Sequence, residues 1–201
     1  MIESAQPVLC LASASLRRRE LLKQIGVPHT VASADVDESV WPGEAPRDYV
    51  RRMAHEKAQT VWARHDSGRL PVLAADTIVV LDGVIYGKPD NRQHALEMLA
   101  HLCGREHEVL TAVALANSRG IAVRMSSSTV KFRKLAPEEA AAYWDTGEPK
   151  DKAGAYAIQG FAAVFIESVN GSYSGVMGLP LFETAELLRS AGLPGWCKMG
   201  P

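Results

Sequence analysis

The stretch from Val72 to Pro89, VLAADTIVVLDGVIYGKP, sets one carboxylate, Asp76, inside an almost continuous apolar run. An ionised carboxylate in such surroundings is expensive to desolvate unless it is paired or hydrogen-bonded. The chain must therefore surround Asp76 either with backbone amides or with a charged site, and this stretch alone leaves both readings open. Ile78 to Leu81 and Val84 to Tyr86 are short β-prone runs joined by Asp82-Gly83, a dipeptide suited to a type I′ hairpin turn. Alternation along a strand puts Asp76 on the face of Val72 and Ala74, and Thr77 on the opposite face with Leu73 and Ala75. If both side chains serve one pocket, the strand is expected to end, bulge or twist at this dipeptide. Gly87-Lys88-Pro89 then presents a lysine from a restrained loop, so an anion could lie between Lys88 and a metal held by Asp76.

Upstream, Pro7 to Leu11 reads as a buried strand, followed by Ala12-Ser13-Ala14-Ser15 and a helix from Leu16 to Ile25 closed by Gly26. Ser15 is the natural N-cap. Strand, small-residue turn and helix N-terminus aim free amides outward, yet Arg17 and Arg18 occupy the first turn, where the helix dipole disfavours cations. They point either to an external anion or to a solvated basic face that includes Arg19. His29 to Ser33 reads as a second strand, leading to Asp35-Val36-Asp37-Glu38, whose three carboxylates could hold a hard divalent cation or simply form an exposed loop. Pro46 to His65 is a long helix with Val50, Met53, Ala54, Ala58 and Val61 at helical spacing. Lys57 falls on that apolar stripe, so it either snorkels to the edge or reaches an anion.

Downstream, Asp90 to Cys103 is an amphipathic helix stopped by Gly104. Glu108 to Ala116 and Ile121 to Leu135 read as an antiparallel ribbon, and Pro137 to Asp145 as a short helix. Asp151 to Gly160, DKAGAYAIQG, is dense in small residues and lets a ligand or another backbone approach closely. Phe161 to Ser168 reads as a strand and Leu181 to Ala191 as the last helix. The tail after Gly192 has no pattern and is expected to be mobile.

Composition narrows the function classes. The 22 basic and 23 acidic residues nearly balance, which argues against a general nucleic-acid binder and makes any anion recognition local. Cys10, Cys103 and Cys197 are odd in number and far apart, giving neither a disulfide framework nor a CxxC site. The six histidines show no metal-ligand spacing. No apolar run is long enough to span a membrane, and the segment before Val8 lacks the pattern of a secretory signal. A cytoplasmic protein without a cleaved leader is expected, as one domain over 1–201.

Five motifs stand in order: SASLRRRELL, AADTIVVLDG with YGKP, HEVLTAV, DKAGAYAIQG, and NGSYSGVMGLPLFET. Together, from about Val8 to Ala191, they resemble the Maf family of nucleoside triphosphate pyrophosphatases. The resemblance implies an α/β fold, a mixed extended sheet with flanking helices in two lobes around a cleft. It implies hydrolysis of the α,β-phosphoanhydride of a nucleoside triphosphate with a divalent metal (Mg, Mn or Co), and a homodimer. It also carries the family's link to septum formation, and with it the alternative of a nucleotide-binding regulator that does little catalysis. By position, Asp76 matches the proton acceptor, and Arg18, Glu38, Lys57 and Lys88 the polar residues of the phosphate and metal site. Glu38 and Asp76 are the implied metal ligands, and Ser13, Ser15 and Arg18 the implied phosphate contacts. Arg17, Thr77 and Gln159 resemble the branch that favours dTTP and UTP over 7-methyl-GTP. Leu16 stands where the family usually has proline.

Overall fold

The computed structural model describes residues 6–64 and 70–194. Ser67-Gly68, a dipeptide that reads as a turn, lies outside them, as do Cys197 and the stretch 195–201 of the tail. The order is β1 (Leu9–Ala12), α1 (Leu16–Gln24), β2 (His29–Ala32), α2 (Pro46–Arg64), β3 (Val72–Leu81), β4 (Val84–Tyr86) and α3 (Arg92–Leu102). There follow β5 (Glu106–Asn117), β6 (Gly120–Phe132), α4 (Pro137–Asp145), β7 (Ile166–Asn170), α5 (Tyr173–Met177) and α6 (Leu181–Ser190). All seven strands join one mixed sheet in the order β2-β1-β3-β5-β6-β7, with β4 paired to β3. β1 is parallel to β2 and β3, while the β3–β4, β3–β5, β5–β6 and β6–β7 pairs are antiparallel.

The two faces of the sheet are covered differently. Toward α2 the strands present mostly small residues, among them Ala74, Ala112, Ala114 and Ala116, and α2 answers with Val50, Met53, Ala54, Ala58 and Val61. The small side chains let the helix lie close to the sheet. On the other face α1 and α6 bring Leu21, Leu22, Leu187 and Leu188 against Leu9, Leu11, Leu73, Val113 and Leu115. Farther along that face α3 and α4 pack Met98, Leu99, Leu102 and Tyr143 on Val79, Val109, Val130 and Phe132. The mixed extended sheet with flanking helices that the resemblance implies is thus present. Among the described residues no helix is long and apolar enough to cross a membrane.

Two sequence expectations give way here, and one helix was not foreseen. β3 does not end or bulge at Asp76-Thr77; it pairs with β5 without a break from Val72↔Ala116 to Val80↔Glu108. The stretch from Phe161 to Ser168 is not one strand, because Phe161–Phe165 forms a 3-10 turn and only Ile166–Asn170 enters the sheet. Glu148 takes the amides of Phe161 and Ala162 at 3.0 and 3.4 Å, and Ala163 N–H bonds to the Gly160 carbonyl at 3.1 Å, which overrides the β propensity of this run. Helix α5 was hidden by its composition, SYSGVM, and depends on a cap, with Ser172 Oγ accepting from Gly175 N–H at 3.0 Å.

Candidate active site

The cleft begins where β1 leaves β3. β1 pairs with β3 only at Cys10↔Val72 and Leu11↔Leu73, and β4 joins β3 only at Val79, Val80 and Leu81. Between these points, among the described residues, β3 keeps β5 as its one strand partner and its other edge is open. Asp76 and Thr77 sit at that gap, so side chains from both faces of a regular strand reach one space, and no bulge is needed. α1 and α2 lie on opposite faces at the carboxyl end of β1, the crevice position where open α/β sheets take ligands.

The cleft is about 410 Å³, and Ser13, Ser15, Arg17, Arg18, Glu38, Lys57, Asp76, Thr77, Lys88 and Gln159 all line it. At its centre Lys57 Nζ lies 2.6 Å from Asp76 Oδ1 and 2.6 Å from Glu38 Oε1. Lys57 is 8% and Asp76 9% exposed, so the lysine on the apolar stripe of α2 does not snorkel but reaches across the sheet edge to a buried carboxylate. Burial works to raise the Glu38 carboxyl, but Lys57, by hydrogen bond and by charge, with Lys88 and Arg18 farther off, outweighs it and holds Glu38 below its ordinary range. Lys88 Nζ stands 3.9 Å from Glu38 Oε2 with most of its side chain in solvent.

The acidic loop does not act as a unit. Asp37 is exposed and accepts from Ser39 N and Oγ at 2.9 and 2.6 Å, while Glu38 alone of the three loop acids lines the cleft. Among the described residues no three His, Cys, Asp or Glu side chains gather. Two carboxylates, however, converge on one cation, the Lys57 ammonium, and carboxylate oxygens are what a hard divalent ion takes, with phosphate and water completing its shell. The donor set therefore fits such an ion at Glu38 and Asp76.

The arginines bind the rear wall. Ser15 caps α1, its Oγ accepting from Arg18 N–H at 3.5 Å. The Arg18 guanidinium turns back to donate to Gly178 O at 2.7 Å, Thr77 Oγ1 at 3.2 Å and Ser13 Oγ at 3.4 Å. Arg17 Nε donates to Met177 O at 3.4 Å. Burial lowers both guanidinium pKa values; the Asp76 charge opposes this most at Arg18, and Asp151 at Arg17. Two cations at the start of a helix are thus tolerated because carbonyls at the C-terminal end of α5 accept from them and acids stand nearby. The motif NGSYSGVMGLP carried no polar signal of this, since the acceptors are backbone oxygens.

Sequence reasoning also passed over other residues. Lys152 and Tyr156 line the cleft beside the exposed Gln159, and Tyr49, whose hydroxyl donates to Glu38 O at 2.9 Å, steadies the Glu38 loop. Arg52 strengthens that loop: it donates to both carboxylate oxygens of Glu44 at 2.6 and 2.7 Å and to Ser39 O at 2.9 Å, and its guanidinium lies 4.0 Å from the Trp41 ring centroid.

Two carboxylates, Asp76 and Glu38, and the cations Lys57, Arg17 and Arg18 meet in one cleft at the open edge of a mixed sheet, which defines an α/β protein with a highly charged cleft. The chain belongs to the Maf-like protein family, which it matches over residues 8–191. It is 52% identical to the dTTP/UTP pyrophosphatase of Nitrosomonas europaea, across 96% of this chain and 99% of that one. It is 54% identical to the dTTP/UTP pyrophosphatase of Methylobacillus flagellatus, across 92% and 94% of the two chains. With the protein of that name from Bordetella avium the identity is 55%, across 93% and 96%.

Proposed function

We propose that this protein hydrolyses dTTP and UTP to the nucleoside monophosphate and pyrophosphate. The observation that carries the reading is the convergence of Asp76, Glu38, Lys57 and Arg18 in one cleft, in a chain 52–55% identical to relatives that bear that name. The triphosphate lies along Arg18, Lys57 and Lys88, with Ser13, Ser15 and the N-terminus of α1 at the same wall. These cations stabilise the charge that builds on the phosphoryl oxygens as the bond breaks. Asp76, fixed on a rigid strand, accepts the proton of the attacking water. Glu38 and Asp76 would hold a divalent ion, which when bound neutralises phosphate charge and lowers the pKa of water.

At the other end of the cleft Gln159 reads the base. A side-chain amide offers one acceptor and two donor hydrogens, matching the carbonyl and N3–H edge shared by uracil and thymine. Because an amide can also pair with a purine edge, selectivity rests on the loop holding the Gln159 amide at the depth a pyrimidine ring reaches. Arg17 borders the same end, held by Met177 O.

The test is a panel of ribo- and deoxyribonucleoside triphosphates with Mg²⁺, Mn²⁺ or Co²⁺, scored for pyrophosphate and for orthophosphate. Pyrophosphate from dTTP and UTP, with little from purine nucleotides, is the expected result. Orthophosphate as the product would mean that a different bond is cut, and silence across the panel would overturn the reading.

A further inference from the structure

The residue proposed to read the base sits on a short loop that is exposed at Gln159 itself but held firmly from behind. Ala157 N–H donates to Tyr143 Oη at 3.1 Å, and Tyr143 O–H donates to Glu148 Oε1 at 2.7 Å. The same carboxylate accepts Phe161 N–H at 3.0 Å and Ala162 N–H at 3.4 Å. One phenol–carboxylate pair therefore binds the backbone two residues before Gln159 and two residues after it. Tyr143 is 3% exposed on the inner side of α4, and neither Tyr143 nor Glu148 is among the residues lining the cleft. Burial first, then the bond to Glu148, raises the Tyr143 phenol, so it remains a donor at any working pH.

The glycine after Gln159 fits this arrangement. A Cβ at position 160 would collide with the Glu148 carboxylate. The space a side chain would need is filled by the carboxylate that caps the Phe161–Phe165 turn, so Gly160 is where clamp and loop meet. Without the pair, the buried Ala157 amide and the first amides of the turn lose their acceptors, and the loop gains the freedom to present Gln159 in more than one place.

We propose that Tyr143 and Glu148 are positioning residues that set base selectivity by fixing the Gln159 loop, without touching the nucleotide. This rests on the dTTP/UTP reading above. Substrate discrimination depends on groups held to within fractions of an ångström, so loosening them should fall on the recognition of the base and leave the phosphate chemistry at Asp76 largely alone.

The experiment compares wild type, Tyr143→Phe, Glu148→Gln and Gly160→Ala, measuring kcat and KM for dTTP, UTP, dCTP and dGTP along with the melting temperature. The expected result is a fall of about tenfold in the ratio of kcat/KM for dTTP to that for dGTP, carried by a higher KM for dTTP, while kcat for dTTP stays within about threefold. Gly160→Ala should lower the ratio as Glu148→Gln does, and the double variant should be no worse than either alone, since both remove the same contact. Glu148→Asp, which keeps the charge on a shorter arm, should recover part of the ratio. A lower melting temperature with the wild-type ratio intact would make the pair merely structural and overturn the proposal, as would an equal loss of kcat on all four nucleotides. Wild type in the same assay separates the two ideas. A wild type without pyrimidine preference sinks the substrate reading, whereas a selective wild type with equally selective variants sinks the clamp.

Discussion

Thr111 Oγ1 donates to Thr77 Oγ1 at 3.0 Å across the β3–β5 ladder. Thr111 Oγ1 is also 2.7 Å from Gly175 O, so its one hydroxyl hydrogen is shared between these two acceptors. Thr77 Oγ1 accepts from Arg18 Nη2 as well, at 3.2 Å. The two threonines thereby tie Arg18 to α5. On the proposed function, Thr77 serves the nucleotide by holding Arg18.

Thr111 is 1% exposed, so replacing its hydroxyl by a methyl leaves the Gly175 carbonyl without that donor and removes the hydroxyl that bonds Thr77. Thr111→Val is expected to cost about 1–3 kcal/mol of stability and to lower kcat/KM on every nucleotide alike, because Arg18 serves the phosphates. Thr111→Ser keeps the hydroxyl and should recover most of both. Denaturant midpoints and steady-state rates on dTTP and dGTP check this; a Val variant as active and stable as the Ser variant would contradict it.

Lys57 bridges Glu38 and Asp76, and Lys57→Met removes the cation while roughly keeping the apolar stem. Asp76, buried, loses its counter-charge and faces a second carboxylate, for a loss of about 3 kcal/mol, the scale for breaking a buried pair. A divalent ion fitting the same two oxygens should restore part of this. Mg²⁺ or Mn²⁺ is therefore expected to raise the melting temperature of Lys57→Met more than that of wild type, where ion and ammonium compete. Equal shifts would argue against Glu38 and Asp76 as the ion's ligands.

Asp76→Asn keeps shape and removes charge. The expected outcome is a fall in kcat of about 10²–10⁴-fold, the range for losing a general base, with circular dichroism unchanged. Retention of full turnover would remove Asp76 from the chemistry.

What the sequence made legible was whatever lies in side-chain chemistry and period. The apolar stripe of α2 exposed Lys57 as an anomaly, the Asp82-Gly83 turn formed with φ values of 52° and 79° at its two residues, and Ser15 caps α1. What it hid depends on backbone oxygens and on distant packing. The carbonyls of Met177 and Gly178 that hold Arg17 and Arg18 have no residue signature, and the open edge beside Asp76 arises from where β1 stops pairing. For that reason the strand needed no bulge, although alternation on a fully paired strand would require one. The Phe161–Phe165 turn looked like strand because Glu148, thirteen residues before Phe161, supplies the cap that bends it.

His107 offers a prediction about pH. Its Nε2 is 2.8 Å from Tyr156 Oη, its Nδ1 is buried without a partner, and Phe132 packs edge-on at 5.0 Å between ring centroids. A proton added here would sit on a ring with no acceptor for one of its N–H groups, and burial pushes its pKa down to about 4. In the unfolded chain the value is about 6.5. Above that, both states are neutral and His107 contributes no pH dependence. Below it, the unfolded chain takes up a proton that the folded protein refuses, so stability falls as pH drops toward 4, by roughly 3 kcal/mol at the end of the window. Ordinary carboxylates begin to contribute only below about 4.5, which leaves the interval from pH 6.5 to about 5 to histidine. Urea midpoints at steps through this interval should decline in wild type and decline less in His107→Gln, whose amide can still meet the Tyr156 hydroxyl. Parallel slopes in the two proteins would show that the imidazole titrates freely in the folded state.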